Sequence, residues 1–221
     1  MRDYSEIDLW KDVTDEEWCD WRWQIKNRIS DVASLRRVID IDDKEAGEIE
    51  KVLGSLRMAI SPYYATLIDP TDPDCPVRRQ AVPDPLELVH HEEDMIDPLD
   101  EDEDSPVPGL THRYPDRVLF LVTDQCTMYC RHCTRRRLAG ITDRPRDSKG
   151  IDAVIEYIRS ENEVRDVLIS GGDPLTLEDD VLEDILKRIR EIDHVEIIRI
   201  GTRVPVVLPY RITDELCEML A

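Results

Sequence analysis

Three cysteines fall within eight residues, Cys126-Thr-Met-Tyr-Cys130-Arg-His-Cys133, while Cys19, Cys75 and Cys217 stand alone. Clustered thiols in a chain without a secretory signature point to metal or redox chemistry rather than a disulfide framework. A four-iron cluster takes one thiolate per iron, so three donors leave one iron open to a further ligand. A tetrahedral zinc needs a fourth donor, and the only nearby histidine, His132, is adjacent to Cys133, which strains binding by both, so zinc ranks second. An electron-transfer ferredoxin supplies its own fourth cysteine, and neither Cys75 nor Cys217 has a recognisable position for that. Three unligated core thiols are disfavoured because Met128, Tyr129, Arg131 and His132 interrupt any apolar pattern. Downstream, Ser170-Gly-Gly-Asp-Pro174 is by itself weak evidence, most often a tight loop. Arg135-Arg136-Arg137, taken alone, is a solvated basic patch or a nucleic-acid contact.

The elements that must position these residues follow from periodicity. Arg117–Thr123 is a near-continuous apolar run of strand length, and Asp147–Ser160 reads as a helix with Ile151, Val154, Ile155 and Ile158 on one side. Val164–Ser170 is the next strand and Glu178–Glu191 the next helix, with Val181, Leu182, Ile185, Leu186 and Ile189 apolar. His194–Ile200 is the third strand, and Thr213 caps a last helix. This is βαβαβα with a parallel buried sheet, so the cysteine loop and the Gly-Gly-Asp turn both leave strand C-termini. The fold class is α/β, a helical N-terminal region followed by a partial parallel βα barrel. Because the last helical pattern reaches Ala221 without a stop signal, an N-terminal fragment of a longer protein is expected.

Before the strands, Thr14 and Glu17 form a capping-box pattern, behind which Trp18, Trp21, Ile25 and Ile29 share one helical face. The cluster of Trp18, Trp21 and Trp23 is expected to be core. A further helix begins near Asp42, with Ile49, Val52, Leu53, Leu56 and Ile60 apolar, and must end before Pro62. Five prolines between Asp69 and Pro85 exclude regular structure there, and Glu92–Asp104, with nine carboxylates and no basic residue, reads as a solvated, mobile stretch. The expected organisation is therefore a helical region with a proline-rich and acidic linker over 1–105 and the βα units over 106–221.

Composition narrows the function classes. At 41% hydrophobic, the 221 residues can bury a core. Fifty acidic against 29 basic residues, net −21, argue against nucleic acid or an anionic membrane as a general partner. No run approaches a membrane span, and Met1–Lys11 lacks a basic region followed by an apolar one, so a cytoplasmic protein is expected. Six lysines beside 23 arginines on so acidic a chain suit a salt-rich cytoplasm, which predicts stability that falls as salt is removed.

The Cys-x3-Cys-x2-Cys loop, paired with Ser170-Gly-Gly-Asp-Pro174 one βα unit later, resembles the signature of radical S-adenosylmethionine enzymes. More narrowly, Gly109–Arg117, Cys126–Arg137, Ile169–Leu175, Val195–Gly201 and Thr202–Pro209 resemble the lysine 2,3-aminomutase family, and a weaker likeness runs into Trp18–Arg28, so that essentially the whole chain is covered. The resemblance implies a [4Fe-4S] cluster on Cys126, Cys130 and Cys133, with the methionyl group of S-adenosylmethionine held by Ser170, Gly171, Gly172 and Asp173. The two glycines would let main chain approach that ligand closely. It implies that Arg113, Tyr114 and Arg117 lie against pyridoxal 5′-phosphate, since guanidinium forks suit phosphate, and that Arg135 pairs with the substrate carboxylate. Arg203, after the third strand, either faces the site or makes a surface salt bridge.

The implied reaction is isomerisation of an α-amino acid to its β-isomer, L-lysine to L-β-lysine, by hydrogen abstraction with a 5′-deoxyadenosyl radical and migration of the amino group. The cofactors carry the hard chemistry, and the protein holds the radical beside one C–H bond and keeps water out. Glutamate is the alternative substrate, and a non-catalytic iron–sulfur or zinc-binding module the alternative class. The family's pyridoxal phosphate lysine and distal substrate contacts have no counterpart in these residues, so no turnover is expected from them alone. No catalytic residue is assigned within them, and His112, His132 and His194 receive no proton-transfer role. Expected partners are an amino acid substrate, an electron donor and, at full length, further copies of the chain.

Overall fold

The computed structural model describes residues 1–221. In chain order its elements are helices α1 (Asp15–Cys19), α2 (Trp21–Lys26), α3 (Val32–Leu35), α4 (Asp43–Leu53) and α5 (Pro62–Thr66), then strands β1 (Leu110–Tyr114) and β2 (Arg117–Thr123), helix α6 (Ser148–Ser160), strand β3 (Asp166–Gly171), helix α7 (Asp179–Arg190), strand β4 (Ile197–Ile200), and helices α8 (Val204–Val207) and α9 (Asp214–Leu220). The chain divides into two compact units. One comprises residues 1–94, 127–136 and 204–212; the other comprises 95–126, 137–203 and 213–221.

The first unit is helical, with a core that includes Trp10, Trp18, Leu35, Ile49, Ile60 and Met128. The capping box of Thr14 and Glu17 is present, but the helix behind it is shorter than expected: α1 stops at Asp20, which caps α2 by accepting from the Arg22 N–H. Ile29 consequently lies beyond both helices, buried in an antiparallel bridge with Ile60. Trp18 and Trp21 are core as expected; Tyr4 stacks on Trp18 with ring centroids 4.0 Å apart. The helix capped by Asp42 ends at Leu53 rather than running to Ile60, and Pro62 opens α5, where a missing N–H costs nothing.

The second unit is built on a four-stranded sheet of order β1-β2-β3-β4, antiparallel between β1 and β2 and parallel thereafter. The alternation of β2 buries Val118, Phe120 and Val122, and Val167 and Ile169 bury beside them on β3. Asp147 caps α6, whose Ile151, Val154, Ile155 and Ile158 are all buried, as are Leu182, Ile185 and Ile189 of α7, while Val181 and Leu186 are half-buried. Thr213 caps α9 by accepting from the Leu216 N–H. Expected and observed strands agree for β2. The third run enters the sheet only at Ile197, because Val195 closes a turn onto Ile192 and the N–H groups of Glu196 and Ile197 share the Arg165 carbonyl. It is also less buried than expected, with Ile197 and Arg199 exposed. No helix is long and apolar enough to cross a membrane.

The acidic stretch is not uniformly solvated. Arg137 forms ion pairs with Asp97 at 2.8 Å and Asp102 at 3.0 Å, Arg113 donates to the Leu99 carbonyl, and Glu101 is buried. Arginines distant in sequence, Arg113 and Arg137, anchor the second half of this stretch.

Candidate functional site

Parallel pairing brings the ends of β2 and β3 out side by side, with Thr123 in register with Gly171. There the backbones approach as closely as backbones can. A Cβ on Gly171, whose φ is +128°, would lie 2.2 Å from the Thr123 carbonyl oxygen, and one on Gly172 would lie 2.1 Å from that of Gln125. Two hydrogen bonds of 2.7 Å, Gly172 N–H to the Thr123 carbonyl and Asp173 N–H to the Gln125 carbonyl, stitch the turn to the residues directly before Cys126. The glycines are thus required by contact between two protein segments, where the sequence reading attributed them to the approach of a ligand. Ser170, opposite Leu121 in the register, is half-buried.

Asp173 is buried and its carboxylate is engaged by protein donors. Oδ1 accepts from the Leu175 N–H at 3.1 Å and the Thr202 hydroxyl at 2.7 Å, and Oδ2 accepts from the Arg203 N–H at 2.8 Å. Its side chain therefore ties the turn to the segment that leaves β4. This role escaped the sequence reading, although an aspartate ahead of Pro174 is a recognisable capping signal. The Arg203 main chain, not its charge, supplies the contact.

On the other side of β2, Asp124 organises the return of the chain. Its carboxylate accepts from the N–H groups of Thr142 and Arg144 and from the Thr142 hydroxyl. Burial acts to raise its pKa, but the Arg144 and Thr142 bonds outweigh that and hold the carboxyl below the ordinary carboxylate range.

Cys126 closes the sheet segment, whereas Cys130 and Cys133 belong to residues 127–136, which pack with the helical unit. Thr127 and Met128 are buried. The Tyr129 N–H donates to the Ala59 carbonyl at 3.0 Å and the Arg131 N–H to the Gln80 carbonyl at 2.9 Å. The Arg131 guanidinium grips Glu87 through Nε at 2.9 Å and Nη2 at 2.7 Å, and reaches the Arg57 carbonyl at 2.6 Å. Arg136 also pairs with Glu87, at 3.3 Å, but stays exposed as expected from sequence, whereas Arg137 is largely covered by its pairing with Asp97 and Asp102. Arg135 is half-buried in the same segment.

A model of the radical SAM superfamily matches residues 120–221. The chain is 58% identical over 213 residues to L-lysine 2,3-aminomutase of Clostridium subterminale, covering 96% of this chain and 51% of that protein. It is 54% identical over 219 residues to L-lysine 2,3-aminomutase of Bacillus subtilis, covering 99% and 46%. It is 47% identical over 207 residues to glutamate 2,3-aminomutase of Clostridioides difficile, covering 94% and 49%. Residues 120–221 carry a radical SAM domain. The chain spans about half the length of the curated relatives it matches.

A radical SAM domain implies a [4Fe-4S] cluster and S-adenosylmethionine, and the donor set of the cysteine loop suits the cluster. All three thiols of the loop are free of disulfides and half-buried, neither sealed in the core nor spread on the surface. No group of three or more His, Cys, Asp or Glu side chains is arranged to hold a metal ion. Thiols have no mutual attraction to draw them together before the metal arrives, and preformed sites are uncommon.

The residues expected against pyridoxal phosphate do not fit in the same way. Tyr114 pairs with Arg117 at the start of β2, six residue steps or about 20 Å of strand from Thr123. There Arg117 pairs with Asp116 at 3.0 Å and Arg113 with Asp104 at 3.6 Å. Antiparallel pairing of β1 places this trio at the end of the sheet opposite the Gly-Gly turn, an arrangement that motif matching does not disclose. His112 and His194 are held by partners distant in sequence, the Tyr157 hydroxyl at 2.8 Å and the Val164 carbonyl at 2.6 Å, and His132 is exposed.

Proposed function

We propose that Cys126, Cys130 and Cys133 carry a four-iron cluster with one open iron, that the Ser170–Asp173 turn receives the methionyl end of S-adenosylmethionine, and that the chain forms part of an amino acid 2,3-aminomutase of the lysine type. When bound, the cluster supplies a single electron for reductive cleavage of the sulfonium, and so the radical that removes a substrate hydrogen. The observation that supports this reading is the stitching of the Gly-Gly-Asp turn to Thr123 and Gln125, the residues that lead into Cys126 at the C-terminal end of β2.

The chain's own residues do the positioning. Thr123 and Gln125 fix the main chain at the first cysteine; Asp173 fixes the turn by accepting from Thr202 and Arg203. Arg135 is the proposed partner of the substrate carboxylate. With its two arginines paired to aspartates at the far end of β2, the Arg113, Tyr114 and Arg117 trio supports no step through pyridoxal phosphate here. The lysine type is preferred to the glutamate type because the lysine enzymes named above share more identity with the chain. A cytoplasmic location and a one-electron reductant as partner belong to the same proposal, since a reducing compartment keeps thiols available to iron.

Anaerobic reconstitution of the purified chain with iron and sulfide, followed by electron paramagnetic resonance with and without S-adenosylmethionine, tests the reading. A reduced-cluster signal that shifts when the sulfonium is added is expected, and Cys130→Ser should abolish it. A cluster signal unmoved by the sulfonium would overturn the reading in favour of a non-catalytic iron–sulfur module.

A further inference from the structure

Glu87 lies in the proline-rich segment, far in sequence from the cysteines, yet its carboxylate is among the most fully used in the helical unit. Oε1 accepts from the Asp84 N–H at 3.0 Å and from Arg131 Nε at 2.9 Å; Oε2 accepts from Arg131 Nη2 at 2.7 Å and Arg136 Nη1 at 3.3 Å. The Glu87 and Arg131 side chains are only 12% and 9% exposed, so the pair is shielded from competing water. Arg131 stands between Cys130 and Cys133, and Arg136 follows Cys133 by three residues. One carboxylate therefore grips the loop on both sides of its third thiol.

Further contacts make the grip directional. The third donor arm of Arg131 ends on the Arg57 carbonyl, its main-chain N–H on the Gln80 carbonyl, and the Tyr129 N–H on the Ala59 carbonyl. The Cys133 N–H bonds back to the Cys130 carbonyl at 3.1 Å, closing the two thiols into one short turn. Glu87 is itself held by the capping box it forms with Asp84, with Pro85 stiffening the first position.

We infer that Glu87 is a positioning residue for the metal-binding loop: acting through Arg131 and Arg136, it holds the Cys130–Cys133 turn ready for iron. A bidentate carboxylate–guanidinium pair fixes orientation as well as distance, which a lysine or a lone hydrogen bond does not. Partners one step removed from a metal fix its ligands, and their loss usually lowers affinity by about ten- to a hundredfold. This inference rests on the cluster reading above.

The test compares the parent chain with Glu87→Gln, Glu87→Asp and Arg131→Lys after anaerobic reconstitution. Iron retention is measured by titrating a chelator, and thermal unfolding of each iron-free chain is recorded in parallel. The chelator concentration that strips half the iron is expected to fall about tenfold in Glu87→Gln and Arg131→Lys. Partial recovery is expected in Glu87→Asp, and the iron-free Glu87→Gln chain should melt within a few degrees of the parent. Equal iron retention in parent and variants would overturn the positioning role. So would a loss of retention in Glu87→Gln that merely tracks a large drop in melting temperature. A parent chain that takes up no iron would instead fail the cluster reading itself.

Discussion

Up to Gln125 the chain is held by main-chain hydrogen bonds and by two glycines that admit neighbouring carbonyls; from Tyr129 onward it is held by a buried ion pair and by carbonyls borrowed from the helical unit. The first arrangement is rigid because nothing in it can rotate away. The second depends on long side chains whose ordering carries an entropic cost, recovered only when several donors share one acceptor. Substitutions before Cys126 should therefore act mainly on folding, and substitutions after it mainly on iron retention.

The sharpest test of the contrast is Gly172→Ala. Its Cβ would sit 2.1 Å from the Gln125 carbonyl oxygen, a main-chain atom that cannot swing aside. A loss of roughly 3 kcal/mol in denaturant unfolding is expected, typical of forced overpacking. A loss below about 1 kcal/mol would show that this end of the sheet is softer than the ion-paired segment.

Asp173→Ala comes next. It removes the buried carboxylate to which the Thr202 hydroxyl and the Arg203 and Leu175 N–H groups donate. About 2 kcal/mol of destabilisation is expected in the same measurement, and Asp173→Asn should recover part of it by keeping an acceptor.

Asp124 adds a pH signature to the sheet side. Its pKa is depressed in the folded chain, so the unfolded chain binds more protons in acid and stability rises with pH. The contribution is complete above the unfolded value of about 4 and is lost as pH falls below it. Unfolding free energies of the parent and Asp124→Asn, measured from pH 6 down to pH 3, should converge at the acid end. Curves that stay parallel would remove Asp124 from the account.

The smallest effect is expected from Glu196→Ala. This carboxylate pairs with Arg165 at 2.6 Å, but both side chains are about half exposed, at 61% and 49%. Such pairs are weak and are screened by salt, so no resolvable change in denaturant unfolding is expected. A resolvable one would mean that surface charge matters more on this acidic chain than geometry indicates.

Local patterns were legible wherever a period or a cap decides the outcome. The β2 run, the apolar faces of α6 and α7, the capping box at Thr14 and the caps at Asp147 and Thr213 are all where side-chain spacing places them. The Trp18, Trp21, Ile25, Ile29 stripe was misread because an aspartate inside an apolar period can restart a helix as easily as sit within it, and Asp20 does so. The helix from Asp42 reads as longer than it is because Met58 and Ile60, beyond the end of α4 at Leu53, are buried by tertiary packing, which apolar spacing does not separate from a helical face.

By itself the sequence determined the parallel α/β character, the three-thiol loop and the glycine turn, since these depend on residue types a few positions apart. Only the tertiary structure decided that Gly171 and Gly172 make room for Thr123 and Gln125, that Asp173 is engaged by Thr202 and Arg203, and that Glu87 reaches Arg131 across 44 positions. Antiparallel pairing likewise sent Arg113, Tyr114 and Arg117 to the far end of the sheet. The physical reason is the range of the forces involved. Capping and periodicity act within a turn or two of chain, whereas close backbone approach and shared carboxylates arise only when the fold brings distant segments into contact.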